Sequence, residues 1–199
     1  DTLSLDSTLK AIQAEYDLVG MSVVITRETG IVFSRGYGSR DLERNVPVDE
    51  NTVYRVASIS KTVTTFALLQ LYEQGQFRLN DAVSDYLGFD LNNPHFPDQA
   101  ITFEMLLSHT GSLRDGSAYS TFLQTTYTTD PPPDLRELLM PAGAYYSADM
   151  FSSAEPPQSC YFNYSNINYG LTGTLIERIS GQRFDEYCKS QILDPLGIS

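Results

Sequence analysis

The apolar positions change period twice near the N-terminus. Leu5, Leu9, Ile12 and Tyr16 recur at helical spacing in SLDSTLKAIQAEYDL, which predicts an amphipathic helix. The β-rich runs 21–27 and 31–37 of GMSVVITRETGIVFSRGYGSRD follow, joined by a Gly-containing turn, and predict a hairpin. Past the loop NVPVDENTVY, a helix is expected from about Ser58 to Gln74, stopped by Gly75. Its residues Val63, Phe66, Ala67, Leu68, Leu69, Leu71 and Tyr72 cover almost every side, the pattern of a buried helix. Lys61 opens that run, although burying an ammonium is costly.

Beyond Gly75 the pattern breaks into short helical pieces. NDAVSDYLG, ITFEMLLSHTG and SAYSTFLQTTY read as short helices, with TTDPPPDL and SSAEPPQS as proline-rich connectors. YGLTGTLIERISGQRFDEYCKSQILDPLG gives two more, one closing at Gly181 and the other before Asp194-Pro195. The expected organisation is a part over residues 1–75 (helix, hairpin, buried helix) and a mainly helical lobe over 76–199. A lone hairpin is marginal in water. Either the helical lobe covers it unaided, or further strands complete the sheet.

Composition narrows the function classes. The 199 residues carry a formal net charge of -12. That balance argues against a nucleic-acid partner, whose phosphates call for clustered Lys and Arg. No apolar stretch approaches the roughly 20 residues of a membrane-spanning helix. Cys160 and Cys188 are the only cysteines. They suit either a disulfide in a secreted protein or two free buried thiols. His95 and His109 are not spaced as a ligand pair, so no metal or cofactor is expected.

Candidate chemistry begins with Ser58 and Lys61, one helical turn apart and on one face. A serine hydroxyl needs an adjacent base to act as a nucleophile. Lysine serves as one when desolvation or nearby positive charge lowers its pKa, and an all-round apolar helix would supply the desolvation. A position in the first turn would also turn the Ser58 backbone N–H and the helix dipole toward a developing oxyanion. Spacing alone does not mark a site. Ser7 and Lys10 share it, but on the polar side of an amphipathic helix where the lysine is solvated. For Ser58 and Lys61 the other reading is a helix cap with a snorkelling lysine.

A second element favours chemistry. CYFNYSNINYG concentrates three tyrosines and three asparagines ahead of a helix, with two consecutive Tyr-x-Asn triplets, Tyr161/Asn163 and Tyr164/Asn166. A tyrosine there could move protons near Lys61, and an asparagine carboxamide could hold both the lysine and a substrate amide.

Together these segments resemble the serine β-lactamase and penicillin-binding-protein superfamily, whose Ser-x-x-Lys motif carries an acylated serine. The likeness is to the branch of class C β-lactamases and D-alanyl-D-alanine carboxypeptidases, which also includes esterases and D-aminopeptidases. YRVASISKTVTTFALLQLYEQGQFRLNDAVSDYLG resembles its nucleophile helix, ITFEMLLSHTGSL its LLxHTSG segment, FNYSNINYGLTGTLIERISG its Tyr-x-Asn loop, and ILDPLGIS its Pro-Leu-Gly segment.

The resemblance implies an α/β (α+β) β-lactamase/transpeptidase-like fold, an antiparallel sheet flanked by helices plus a helical lobe, with the sheet incomplete here. It implies that Ser58 is the nucleophile, Lys61 its proton-shuttling partner, Tyr164 the family tyrosine and Asn166 the matching substrate-binding asparagine. Whether Lys61 or Tyr164 is the general base stays open. His109 takes a structural role. The superfamily's third motif, Lys-Thr-Gly or His-x-Gly on a strand, has no counterpart in order: His109-Thr110-Gly111 precedes the tyrosine loop. The chain is therefore expected to be an N-terminal portion that needs a complementary C-terminal segment or chain. The implied protein is a secreted or cell-envelope serine hydrolase that cuts amide, lactam or ester bonds of a small-molecule or peptide substrate. The alternative is a catalytically silent ligand-sensing module.

Overall fold

Residues 1–56 and 57–199 form two compact units. The structure is a computed structural model and describes residues 2–28, 30–158 and 160–198.

In the first unit, helix α1 (Thr2–Glu15) half-buries Leu5, Leu9 and Ile12, as the spacing predicts, while Tyr16 falls just past its end and is exposed. Lys10 is exposed and pairs with Asp6 at 2.7 Å, in keeping with a solvated lysine on the polar side. The hairpin is present as β1 (Gly20–Arg27) and β2 (Gly30–Asp41). Its turn is carried by Glu28 in the left-handed region (φ 54°), and Gly30 pairs with Arg27 as a strand residue. β2 runs on past residue 37 to pair with β3 (Val46–Pro47), giving an antiparallel sheet in the order β1-β2-β3. A two-residue strand leaves no alternation to detect, so the pattern missed it. Gly36 is required by that neighbour: a Cβ there would stand 2.5 Å from the Val48 carbonyl oxygen. Phe33, Tyr37 and Val48 are buried, and the Tyr37 phenol donates to Asp6 Oδ1 at 3.0 Å, fastening β2 to α1.

The second unit is helical: α2 (Ser60–Glu73), α3 (Ser84–Leu87), α4 (Phe103–Ser108), α5 (Tyr119–Thr128), α6 (Arg136–Leu139), α7 (Asn166–Ser180) and α8 (Phe184–Cys188). α2 packs on α7, and Ala67, Leu68 and Leu71 share one core with Leu106, Leu171, Leu175 and Ile176. Phe77 stacks on Phe103 with ring centroids 4.0 Å apart. Thr102 caps α4 by accepting from the Met105 N–H, and α7 stops at Gly181 in the left-handed conformation (φ 71°). Past α8 a π turn (Lys189–Leu193) closes directly ahead of Asp194-Pro195, as expected, and a 3-10 turn (Asp194–Leu196) follows with Pro195 in its first turn.

Two expectations are corrected here. α2 is not buried on every side: Phe66 is 55% and Tyr72 41% exposed, while the face against α7 is closed. An apolar pattern records which positions tolerate burial, but a helix buries only the stripe that meets a partner. The cysteines are not paired: Cys160 is exposed and Cys188 buried, both as free thiols.

Candidate active site

Ser58 lies in a single 3-10 turn (Ala57–Ile59) that runs directly into α2. The residue before it, Ala57, has φ 46°, in the left-handed region that a Cβ disfavours. That backbone turn sets the direction in which Ser58 leaves the chain. Lys61 follows one turn later and is half-buried.

The side chains converge at hydrogen-bond distance. Lys61 Nζ donates to Ser58 Oγ at 3.2 Å and to Asn166 Oδ1 at 2.7 Å. Ser58 Oγ lies 2.8 Å from Tyr164 Oη, and either hydroxyl can be the donor. Tyr164 Oη stands 3.5 Å from Asn166 Oδ1. The ammonium also lies over the rings of Tyr164 (5.0 Å) and Tyr169 (5.5 Å). Tyr169 in turn reaches Thr65 of α2 through its hydroxyl at 3.1 Å. Lys61 is therefore surrounded by aromatic faces and oxygen acceptors rather than by hydrocarbon alone, which corrects the source of its environment inferred from the helix pattern.

The tyrosine loop is held from below by two residues that follow α4. His109 ends α4 with φ 58°, an uncommon conformation for a residue with a Cβ, and it is fixed at both ends. Its carbonyl accepts from the Asn163 N–H at 2.9 Å, and its Nδ1 accepts from the Ser165 N–H at 3.2 Å. Nδ1 also meets Asn168 Nδ2 at 2.9 Å, so two donors face it and its ring proton belongs on Nε2. The ring lies against Tyr164, centroids 4.6 Å apart. Asp115 takes three donors from the start of α7: Ser165 Oγ and the Ile167 N–H on Oδ1 (2.8 and 3.1 Å), and Asn166 Nδ2 on Oδ2 (2.7 Å).

The electrostatics follow from these contacts. Hydrogen bonding by the Lys61 ammonium, and next by the Ser58 hydroxyl, holds the Tyr164 phenol below its ordinary range. Burial, reinforced by the Lys61 charge and opposed by Asp115, lowers the His109 imidazole, which keeps it neutral. Such an array can pass a proton between a serine, a tyrosine and a lysine while an amide fixes the cation.

The structure thus brings Ser58, Lys61, Tyr164 and Asn166 together and leaves Tyr161 exposed on the rim of the loop. His109 takes the structural position expected of it, and His109-Thr110-Gly111 lies on a turn rather than on a strand. Asp115, Thr65 and Tyr169 were not singled out from sequence as parts of the site. An acid two residues beyond the HTGSL segment was the only signal for Asp115, and nothing local says what it faces. Among the described residues, no group of three or more His, Cys, Asp or Glu is placed to hold a metal, and no helix is long and apolar enough to cross a membrane.

The sequence model of the family described as Beta-lactamase matches residues 5–199. Protein flp of Staphylococcus aureus (strain NCTC 8325 / PS 47) is 28% identical over 177 residues, which cover 89% of this chain and 33% of flp. The octameric penicillin-binding protein homologue from Pyrococcus abyssi superimposes with a TM-score of 0.76 at 28% identity, over 99% of this chain and 43% of that one. EstCE1, a hydrolase with promiscuous acyltransferase activity, has the same fold, with a TM-score of 0.77 at 23% identity over 97% of this chain and 51% of its own. The chain spans about a third of the length of the curated relative. The fold is β-lactamase/transpeptidase-like, here with helices and a small antiparallel sheet.

Proposed function

The chain belongs to the beta-lactamase family, whose members include hydrolases, esterases and amidases, and from that premise we propose that Ser58 is the nucleophile of a serine hydrolase. The reaction is acyl transfer from an amide, lactam or ester to Ser58 Oγ, followed by hydrolysis of the acyl-enzyme. One observation carries this reading: Ser58 Oγ sits within hydrogen-bond distance of both Tyr164 Oη and Lys61 Nζ.

In the first step Ser58 Oγ attacks the carbonyl carbon as its proton passes to the neighbouring base. Tyr164 is favoured as that base, because its Oη lies nearer Ser58 Oγ than Lys61 Nζ does (2.8 against 3.2 Å) and its phenol is held below its usual range. The same proton then reaches the leaving amine or alkoxide, and the carbonyl–leaving-group bond breaks. Water attacks the acyl ester in reverse order and frees Ser58. The backbone N–H of Ser58, at the start of a helix, supplies one oxyanion donor. Asn166 holds Lys61 through Oδ1 and so borders the substrate carbonyl beside Ser58.

A second oxyanion donor, from a complementary segment or chain bearing Lys-Thr-Gly or His-x-Gly, completes the proposal, since residues 1–199 contain no Lys-Ser/Thr-Gly triplet. The second reading is a catalytically silent ligand-sensing module, since one fold does not fix one function. A secreted or cell-envelope location goes with either.

Treating the full-length protein with a labelled penicillin and an activated ester separates the two. Mass spectrometry should find a covalent adduct on Ser58. Absence of any adduct on folded protein overturns the enzyme.

A further inference from the structure

Asp115 sits in the loop after α4, half-buried beneath the start of α7. A carboxylate only accepts, so each donor it binds is committed. It commits three from consecutive residues: Ser165 Oγ, Asn166 Nδ2 and the Ile167 N–H. Ser165 is the N-cap of α7, and caps of its type normally accept from the first turn. Here its hydroxyl donates to Asp115 instead, and Asp115 accepts the Ile167 N–H in its place. The carboxylate thereby stands at the positive end of a 15-residue helix.

The consequence lies in the Asn166 carboxamide, which has one donor end and one acceptor end. With Nδ2 bound to Asp115 at 2.7 Å, Oδ1 faces the other way, 2.7 Å from Lys61 Nζ. Turning the amide over would set its oxygen against the carboxylate and its NH2 against the ammonium, losing both bonds at once. We propose that Asp115 is a positioning residue that fixes which way the Asn166 amide faces, and through it where the Lys61 ammonium stands beside Ser58 and Tyr164. This rests on the reading of Ser58 as an acylated nucleophile only for its effect on rate; the orientation itself does not depend on it.

The isosteric Asp115→Asn variant tests it, because a carboxamide at position 115 can face either end of the Asn166 amide. Two roles predict opposite movements of Tyr164. If Asp115 acted only through its charge, removing that charge would lower the Tyr164 pKa, since the carboxylate disfavours the phenolate. If it positions Lys61, the variant releases the ammonium and the Tyr164 pKa rises. Titration of 13C-labelled tyrosine by NMR in the full-length protein reads the sign. We expect a rise, with acylation of Ser58 by the activated ester slowed on the order of 100-fold and reversible binding of the probe little changed. A fall or no change in the Tyr164 pKa overturns the proposal.

Ser165→Ala removes a bond to Asp115 without touching the amide, and should keep the Tyr164 titration of the wild type. Should Asp115→Asn not fold, the wild type still decides. The Asn166 side-chain amide 15N resonance must titrate together with the Asp115 carboxyl, and an amide blind to that titration refutes the contact. If the wild type itself resists acylation, the hydrolase reading fails while both NMR measurements still judge Asp115.

Discussion

Ser58 Oγ and Tyr164 Oη, 106 positions apart in the chain, lie 2.8 Å from one another. Their meeting depends on α2 packing against α7, since Ser58 leads into the first helix and Tyr164 directly precedes the second. Removing the phenol oxygen is therefore a clean test of proton transfer. Tyr164→Phe should slow acylation by roughly 100-fold or more, with an unchanged circular dichroism spectrum because the ring keeps its place against His109. Acylation at the wild-type rate would move the base to Lys61.

The nucleophile assignment separates three serines. Ser58→Ala should abolish covalent labelling, whereas Ser60→Ala and Ser7→Ala should retain it. Loss of labelling in folded Ser60→Ala would contradict the geometry, in which Lys61 Nζ reaches Ser58 Oγ.

Tyr164 reports on the charge of Lys61. A cation beside a phenol favours the phenolate, and the Lys61 hydrogen bond is the leading cause of the lowered value. Lys61→Met keeps the stem and removes the charge, so the tyrosine should titrate at higher pH than in the wild type. A 13C-tyrosine titration measures it, and a shift to lower pH would remove Lys61 as the cause.

His109 couples stability to pH. Its folded pKa lies below the free value of 6.5, so between the two the unfolded chain binds the extra proton. Stability is then fully present above about 6.5 and is lost as pH falls toward the folded value, by about 1.4 kcal/mol for each unit of separation. Urea midpoints measured across that window should drop in the wild type, and His109→Gln should remove this component of the slope.

Ala57 stores strain ahead of the nucleophile. At φ 46° a Cβ costs on the order of 1–2 kcal/mol, and glycine avoids it at a backbone-entropy cost of about 0.5–1 kcal/mol. Ala57→Gly should leave stability unchanged or raise it by up to about 1 kcal/mol, while Ala57→Val should lower it. Thermal melts of the two variants give the order, and the opposite order would refute the strain.

Much of the local structure was legible because its causes are local. The spacing of Leu5, Leu9 and Ile12, the β-rich run 21–27 and Gly181 after α7 each fix an element within a few residues. β3 was not legible, since two residues have no period. The exposure of Phe66 and Tyr72 was not legible either, because apolar character does not name the neighbour a side chain will meet. The unpaired thiols matched neither alternative in full, because Cys188 is buried as expected of a free thiol but Cys160 is exposed.

The sequence by itself determined the residue types the chemistry needs: Ser58 and Lys61 one turn apart, and a loop rich in tyrosine and asparagine before a helix. Only the tertiary structure decided that Lys61 lies among ring faces and oxygens, and that Asp115 faces the asparagine amide. Helical spacing acts over a few residues through backbone geometry. The orientation of a carboxamide is set instead by charges at its two ends, and here those charges arrive from segments 51 and 105 positions away.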